Sequence, residues 1–431
     1  MAKLAINGGK PLREKLFPRY NTITEEEVNA AIEVLETGKL SGFLANYSKE
    51  FYGGRRVQEF EVLWAEKHNA KYCISVNSAT SGLVAAVGAA GIGPGDEVIV
   101  SPYTMSASAS CVFAYGAVPV FSDIQGDIFN LDPKSIESRI TPFTKAIVVV
   151  HLFGNPADMD PIMKIARKHN LIVIEDCAQA PLAEYKGGKV GTIGDMGVFS
   201  LNIHKHIQTG EGGMITTNSE EFATKLKLIR NHGELSLNDL SVKEYTNMWG
   251  FNFRLTEIQA AIGITQLKRL EKLVDERIDN CDYLAEKMSE IPGIIPPRVH
   301  EHCKNVYYMQ AFKFKEETIG VPRDKFIQAV AEELPLTEGT GEDGKFLYSG
   351  YVEPIYLQPL YQKASQYRSP ITDPRYKGKV NYAKGICPVC ETLHFKELFN
   401  HEYMRPPMTK GDLDDFVSAF EKVYENREEL L

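Results

Sequence analysis

In "FSLNIHKHIQTGEGGMI", Phe199 to Ile215, a lysine stands between two histidines and is followed by three glycines around a glutamate. A lysine amine can act as a nucleophile toward a carbonyl once it loses its proton. Taken alone, Lys205 reads as a solvated charge. Two further clusters change that reading. "NSATSG", Asn77 to Gly82, follows an apolar strand and opens a helix, so its backbone N–H groups and hydroxyls suit a phosphate. Taken alone, it is a helix cap. "IEDCAQA" brings Glu175 and Asp176 out at the end of another apolar strand, where a carboxylate taken out of water needs a partner. An ion pair with a basic residue is the plain reading. The alternative is a carboxylate that keeps a heterocyclic nitrogen protonated.

Together the lysine, the strand-end aspartate and the phosphate-like turn match what pyridoxal 5'-phosphate requires. The lysine holds its aldehyde, the carboxylate faces its pyridine nitrogen, and the turn receives its phosphate. A lysine freed from the aldehyde carries a proton to and from the substrate.

These residues must be positioned by strands and helices that alternate through the first half. "YCISV", "EVIVS", "VPVFSD", "KAIVVVHLF", "LIVIED" and "GGMITTN" read as strands. "SGLVAAVGAAG", "MDPIMKIARKHN" and "SEEFATKLKLIRNHG" read as helices, the last with a serine cap and a glycine stop. The expectation is an α/β fold with a mixed, mostly parallel sheet covered by helices, ligands gathering at the carboxyl ends of its strands. From Arg254 a long amphipathic pattern connects to a second unit, in which "YYMQAFKF" reads as a strand and Leu336 to Gly350 as a loop. The expected domains are 1–265, a large cofactor-binding domain with an N-terminal arm, and 266–431, a small α+β domain.

Composition narrows the class. Over 431 residues the chain is 43% hydrophobic and 24% charged, as in globular proteins. No apolar run is long enough to span a bilayer, and the opening residues lack a secretory signal, so the expectation is a cytoplasmic protein without membrane contact. A net charge of -9 without a basic stripe argues against nucleic acid. Seven scattered cysteines give no disulfide framework. Cys387 and Cys390 in "CPVC" lack a second ligand pair, and His394 nearby reads as structural, so no metal is expected.

An ordered series of segments, "NGGKP", "RVQEFE", "NSATSG", "GAAGIGPGDEVIVSPYT", "VHLFGNPADMDPI", "IEDCAQA", "HKHIQTGEGGMI", "RNHG" and "GFNFRLTEIQAAIG", resembles the DegT/DnrJ/EryC1/StrS family of sugar aminotransferases over nearly the whole chain. The resemblance implies the fold type I architecture of aspartate aminotransferase. It implies that Lys205 is the Schiff-base lysine, Asp176 the pyridine-nitrogen partner and Gln179 a neighbour of the cofactor's ring oxygen. It makes Ala79, Thr80 and Ser200 the phosphate site. Asn252 is implied to reach the phosphate from the neighbouring subunit of a homodimer that shares its active sites.

Two positions depart from the family pattern. Ala79 stands where glycine is usual, and Met105 where an aromatic commonly stacks on the ring, with Tyr103 the alternative. The implied substrates are a glutamate or glutamine donor and a nucleotide-linked keto sugar or keto cyclitol as acceptor. "LAINGGKP" and "GYVEPIYLQPLY" look more like the branch containing inosose aminotransferases and aminohydroxybenzoate synthase. The family's dehydratases carry histidine in place of the lysine. Here Lys205 holds that position, and His206 reads as a neighbour of the site rather than its base. A non-catalytic regulatory relative would be expected to lose the lysine or the aspartate, and both are present.

Overall fold

The computed structural model describes residues 3–46, 48–233, 246–339 and 346–431. Its centre is a seven-stranded sheet in the order Tyr72–Val76, Gly213–Thr217, Met196–Ser200, Ile172–Asp176, Thr144–Val150, Glu97–Val100 and Val118–Phe121. Gly213–Thr217 pairs antiparallel with both neighbours, and every other pairing is parallel. The strands are continuous apolar runs because two hydrophobic clusters cover the sheet's two faces. The expected helices form at Ala79–Ala89, Met159–His169 and Glu220–Arg230. Ser219 caps the last of these as expected, but the helix stops at Asn231, two residues before the glycine.

The amphipathic stretch after Arg254 is one helix, Glu257–Ser289, opened by a capping box between Thr256 and Gln259. Residues 265 and 266, the expected domain junction, lie inside it. Beyond it a four-stranded antiparallel sheet runs in the order Ile294–Ile295, Gln310–Phe314, Leu398–His401, Leu347–Ser349. Helices Arg323–Glu333 and Lys410–Glu425 pack on it through Phe326, Val330, Phe416 and Phe420. Two expectations change here. Tyr307 and Tyr308 lie outside the strand, because Tyr307 adopts φ +49. The stretch read as a loop ends in the strand Leu347–Ser349, whereas 340–345 fall outside the described residues.

The N-terminal arm packs on this smaller sheet unit. Leu4 and Phe17 enter its core, and the buried Glu333 accepts the backbone N–H groups of Ala5 and Leu12 at 2.8 and 3.0 Å. Residues 350–390 form a strap back across the large sheet. Ile355 N–H donates to the Pro102 carbonyl at 2.8 Å, Tyr376 Oη to Glu97 at 2.6 Å, and Tyr382 Oη to the Pro119 carbonyl at 2.6 Å. Cys387 and Cys390 are buried free thiols in the strap's return, and the N–H of Cys390 donates to Asp123 at 3.0 Å. Among the described residues no helix is long and apolar enough to cross a membrane.

One buried ion pair locks helix Arg55–His68 to the edge strand and to helix Glu220–Arg230. Arg230, fully buried, pairs with Glu61, which also accepts Ser75 N–H at 2.9 Å and Ser75 Oγ at 2.8 Å. Removing the guanidinium strands a buried carboxylate. Arg230→Met should therefore cost about 3–5 kcal/mol, visible as a lowered urea midpoint, and an unchanged midpoint would show the pair to be dispensable.

Candidate active site

Side chains alternate along a strand, so Glu175 and Asp176 leave the sheet on opposite faces. Glu175 is fully buried and satisfied. His151 Nε2 donates to one of its oxygens at 2.9 Å together with Gly191 N–H at 2.8 Å. Ile193 and Gly194 N–H donate to the other at 2.8 and 2.7 Å. His151 Nδ1 in turn accepts Ala157 N–H at 3.0 Å. His151, Glu175 and Cys177 lie close enough together to suggest a metal site. Four donors already use the lone-pair directions of the carboxylate, and both histidine nitrogens are committed. The cluster is a structural lock, in which the basic partner expected for Glu175 is His151, joined by three backbone amides.

Asp176 has the opposite character. One oxygen accepts Ser108 Oγ at 2.7 Å and the other Ala178 N–H at 3.1 Å, which fixes the carboxylate but leaves accepting capacity. Two strands away, Gly213 pairs with Ser200 on one side and Val76 on the other. A Cβ at Gly213 would lie 2.6 Å from the Ser78 carbonyl carbon and 2.7 Å from Ala79 N. Only glycine lets the start of helix Ala79–Ala89 sit this close to Ser200. Ser78 Oγ caps that helix through Ser81 N–H at 3.1 Å, while the N–H groups of Ala79 and Thr80 belong to the first turn, which has no intrahelical acceptors. Ala79 and Ser200 are half-buried and Thr80 is exposed.

Lys205 follows in the loop after Ser200. Its side chain is half-buried, and Nζ lies 4.2 Å over the ring of Tyr308. Burial draws its pKa down from 10.5 to about 8, helped by Arg405 and opposed by Asp176 and Glu402. At neutral pH such an amine keeps an accessible neutral fraction, as a nucleophile requires. His206 is buried, its Nε2 donates to the Val306 carbonyl at 2.8 Å, and burial holds its pKa well below 6.5. It is therefore a neutral structural ring. His204 is exposed.

The remaining expected residues fall in different places. Gln179 is buried, its Oε1 accepting Phe153 N–H at 2.7 Å and its Nε2 donating to Tyr351 Oη at 3.0 Å. Met105 is 58% exposed on the loop before helix Ala107–Phe113. Tyr103, the alternative, is wholly buried against Tyr351 and His394, its hydroxyl 3.3 Å from His394 Nδ1. It presents no free ring face. Asn252 is exposed, 2.7 Å from Arg254 Nε.

A pocket of 450 Å³ is lined by Tyr20, His204, Tyr348, Glu402 and Arg405, and a second of 210 Å³ shares Tyr348 and Glu402 and adds Tyr308, Tyr351 and Asn400. A hollow of 520 Å³ beside Lys49, Arg55 and Glu257 contains none of the expected site residues. Sequence reasoning missed Ser108, Tyr308, Glu402 and Arg405.

A family model for the DegT/DnrJ/EryC1/StrS aminotransferases matches residues 22–394. The chain belongs to this family. It is 42% identical over 276 residues to GDP-perosamine synthase of Caulobacter vibrioides, covering 64% of this chain and 73% of that one. It is 32% identical to L-glutamine:2-deoxy-scyllo-inosose aminotransferase of Micromonospora echinospora over the whole of both. Among solved structures, an aminotransferase from Psychrobacter cryohalolentis superposes with a TM-score of 0.79 at 32% identity, covering 95% of this chain and 99% of that one. The protein is a pyridoxal-phosphate-dependent aminotransferase with the α/β fold expected of the family.

The donor set fits that cofactor. It combines an amine of lowered pKa, a carboxylate fixed by two donors with room for a third, and a helix start pressed against Ser200. Gly213→Ala would push the helix start away. Cofactor affinity, followed by its absorbance during titration, should fall at least about tenfold, the equivalent of roughly 1.4 kcal/mol. Unchanged affinity would separate this close approach from phosphate binding.

Proposed function

We propose that Lys205 anchors pyridoxal phosphate and carries the proton of transamination, with Asp176 facing the pyridine nitrogen. Ala79, Thr80 and Ser200 would receive the phosphate and Gln179 would lie beside the ring oxygen. Met105 would lie beside the ring, with a thioether in place of the usual aromatic. The observation that carries this reading is the lysine itself, half-buried with a pKa near 8 and within electrostatic reach of Asp176. When bound, the cofactor accepts the electron pair left as a proton departs from the substrate carbon.

The chain's own residues do the rest. Asp176 holds the ring nitrogen's proton, and Ser108 and Ala178 N–H keep its carboxylate oriented. The first-turn N–H groups of helix Ala79–Ala89 and the Ser200 hydroxyl bind the phosphate dianion. Lys205 Nζ, when free, takes the substrate proton and returns it.

The substrates we infer are glutamate or glutamine as amino donor and a nucleotide-linked keto sugar or keto cyclitol as acceptor. Relatives named for GDP-perosamine and for L-glutamine with 2-deoxy-scyllo-inosose support both acceptor classes. Pockets lined by Tyr308, Tyr348, Tyr351, Asn400 and Glu402 offer the hydroxyl, amide and carboxylate partners that a polyhydroxylated ring needs. We further infer a homodimer in the cytoplasm, with exposed Asn252 completing the partner's phosphate site. Residues 1–265 would form the cofactor-binding domain and 266–431 the small domain, with the helix Glu257–Ser289 spanning the junction.

Borohydride reduction followed by peptide mass mapping should place the phosphopyridoxyl group on Lys205, and Lys205→Ala should abolish turnover. The cofactor mass on another lysine would overturn the assignment. Asp176→Asn should still bind cofactor but lose roughly a hundredfold or more in turnover, the scale of removing one preorganised electrostatic partner. Near-normal turnover would remove Asp176 from this role. Mixing Asn252→Ala with Lys205→Ala chains should restore one intact site per mixed dimer. Verified mixed dimers without activity would place both residues in one subunit's site.

A further inference from the structure

Tyr308 lines the smaller pocket, and its ring also bears directly on the amine of Lys205. The ring face lies 4.2 Å from Nζ, within the range of a cation–π contact. It is held there by an unusual backbone crossing. Tyr308 N–H donates to the Phe153 carbonyl at 2.8 Å and Val306 N–H to the Gly154 carbonyl at 3.1 Å. Phe153 and Tyr307 both adopt left-handed conformations, at φ +58 and +49, which cost energy for non-glycine residues. Gly154, at φ +90, leaves no room for a side chain, since a Cβ would sit 2.7 Å from Tyr307 N. Phe153 N–H is in turn tied to Gln179 Oε1, three residues from Asp176. The strained crossing therefore fixes one ring relative to both the lysine and the aspartate.

Other groups face the same amine. Asp176 lies on the sheet side, Arg405 and Glu402 come from the loop after strand Leu398–His401, and His206 is the chain neighbour. Arg277 from the long helix lies behind His206, and its charge also acts on that ring. Arg405 and Glu402 form an ion pair with each other. The Tyr308 ring face lies directly against Nζ at 4.2 Å, with the Arg405 guanidinium farther from the same ring at 5.8 Å.

We propose that Tyr308 is a positioning residue whose ring face seats the Lys205 amino group whenever that group is not joined to the cofactor. The proton carrier is thereby held over the site instead of swinging toward the Glu402 carboxylate. This rests on Lys205 being the anchor, which borohydride mapping tests separately.

The test uses the full chain carrying the aminated cofactor, which leaves an anchor lysine free. Brief acetic anhydride pulses between pH 6.5 and 10.5, read by peptide mass spectrometry with exposed Lys396 as rate standard, give the titration midpoint of Lys205. Tyr308→Phe keeps the ring face and should leave the midpoint in place. Pentafluorophenylalanine at position 308 keeps the ring's shape but removes the negative face. It should lower the midpoint by roughly 0.4–1.5 pH units, because the ammonium loses its stabilising partner. Tyr308→Leu should shift it the same way. Equal midpoints in all variants, or an upward shift with the fluorinated ring, would overturn the proposal. A purely packing role for Tyr308 predicts the first of these outcomes.

Discussion

Everything at the site follows from placing two consecutive carboxylates at the end of a strand buried on both faces. Neither can stay charged there without compensation, and their alternation sends them to different surroundings. Glu175 takes four donors, three of them from backbone that could not otherwise turn so tightly behind the sheet. That saturation gives Asp176 a rigid root. Asp176 itself takes only two donors, so it keeps accepting capacity. One carboxylate is saturated by the architecture, and its neighbour keeps room for another donor.

What the sequence revealed divides along the same line. Lys205 lies beyond the strand Met196–Ser200 in a loop that no local pattern marks, whereas Asp176 and the helix start at Ala79 could be placed from local pattern because each follows a strongly apolar strand. The parallel sheet was legible for the same reason. Ser108, Tyr308, Glu402 and Arg405 were not, because they arrive from elements whose approach depends on tertiary packing. No periodicity connects Ser108 to a carboxylate 68 positions away in the chain. Tyr103 shows the limit from the other side, since an aromatic in the right segment turned out to be wholly buried. The strand expected from Tyr307 begins only at Gln310, because Tyr307 is left-handed, a conformation tied to the close crossing at Gly154 rather than to local preference.

The crossing also explains why the proposed anchor, Lys205, depends on both sheet units. Its floor, Tyr308, is carried by the segment leading into the small sheet, and its flank, Arg405 with Glu402, by the loop leaving that sheet. The large sheet provides the loop that bears the lysine and the strand end that bears Asp176, whose charge acts on it. Burial lowers the lysine's pKa only while these parts are assembled, so reactivity at Lys205 reports the docking of the two units.

The strap from 350 to 390 bears on how the chain reaches this state. Val118–Phe121 is an outer strand of the large sheet, and its cover arrives when Tyr382 reaches the Pro119 carbonyl. An uncovered strand edge is a template for pairing with other chains. During synthesis at about 5–20 residues per second, that edge waits roughly tens of seconds for its cover to be made. Until then the growing chain is vulnerable to intermolecular strand addition, and a truncation before the strap would leave the vulnerability permanent.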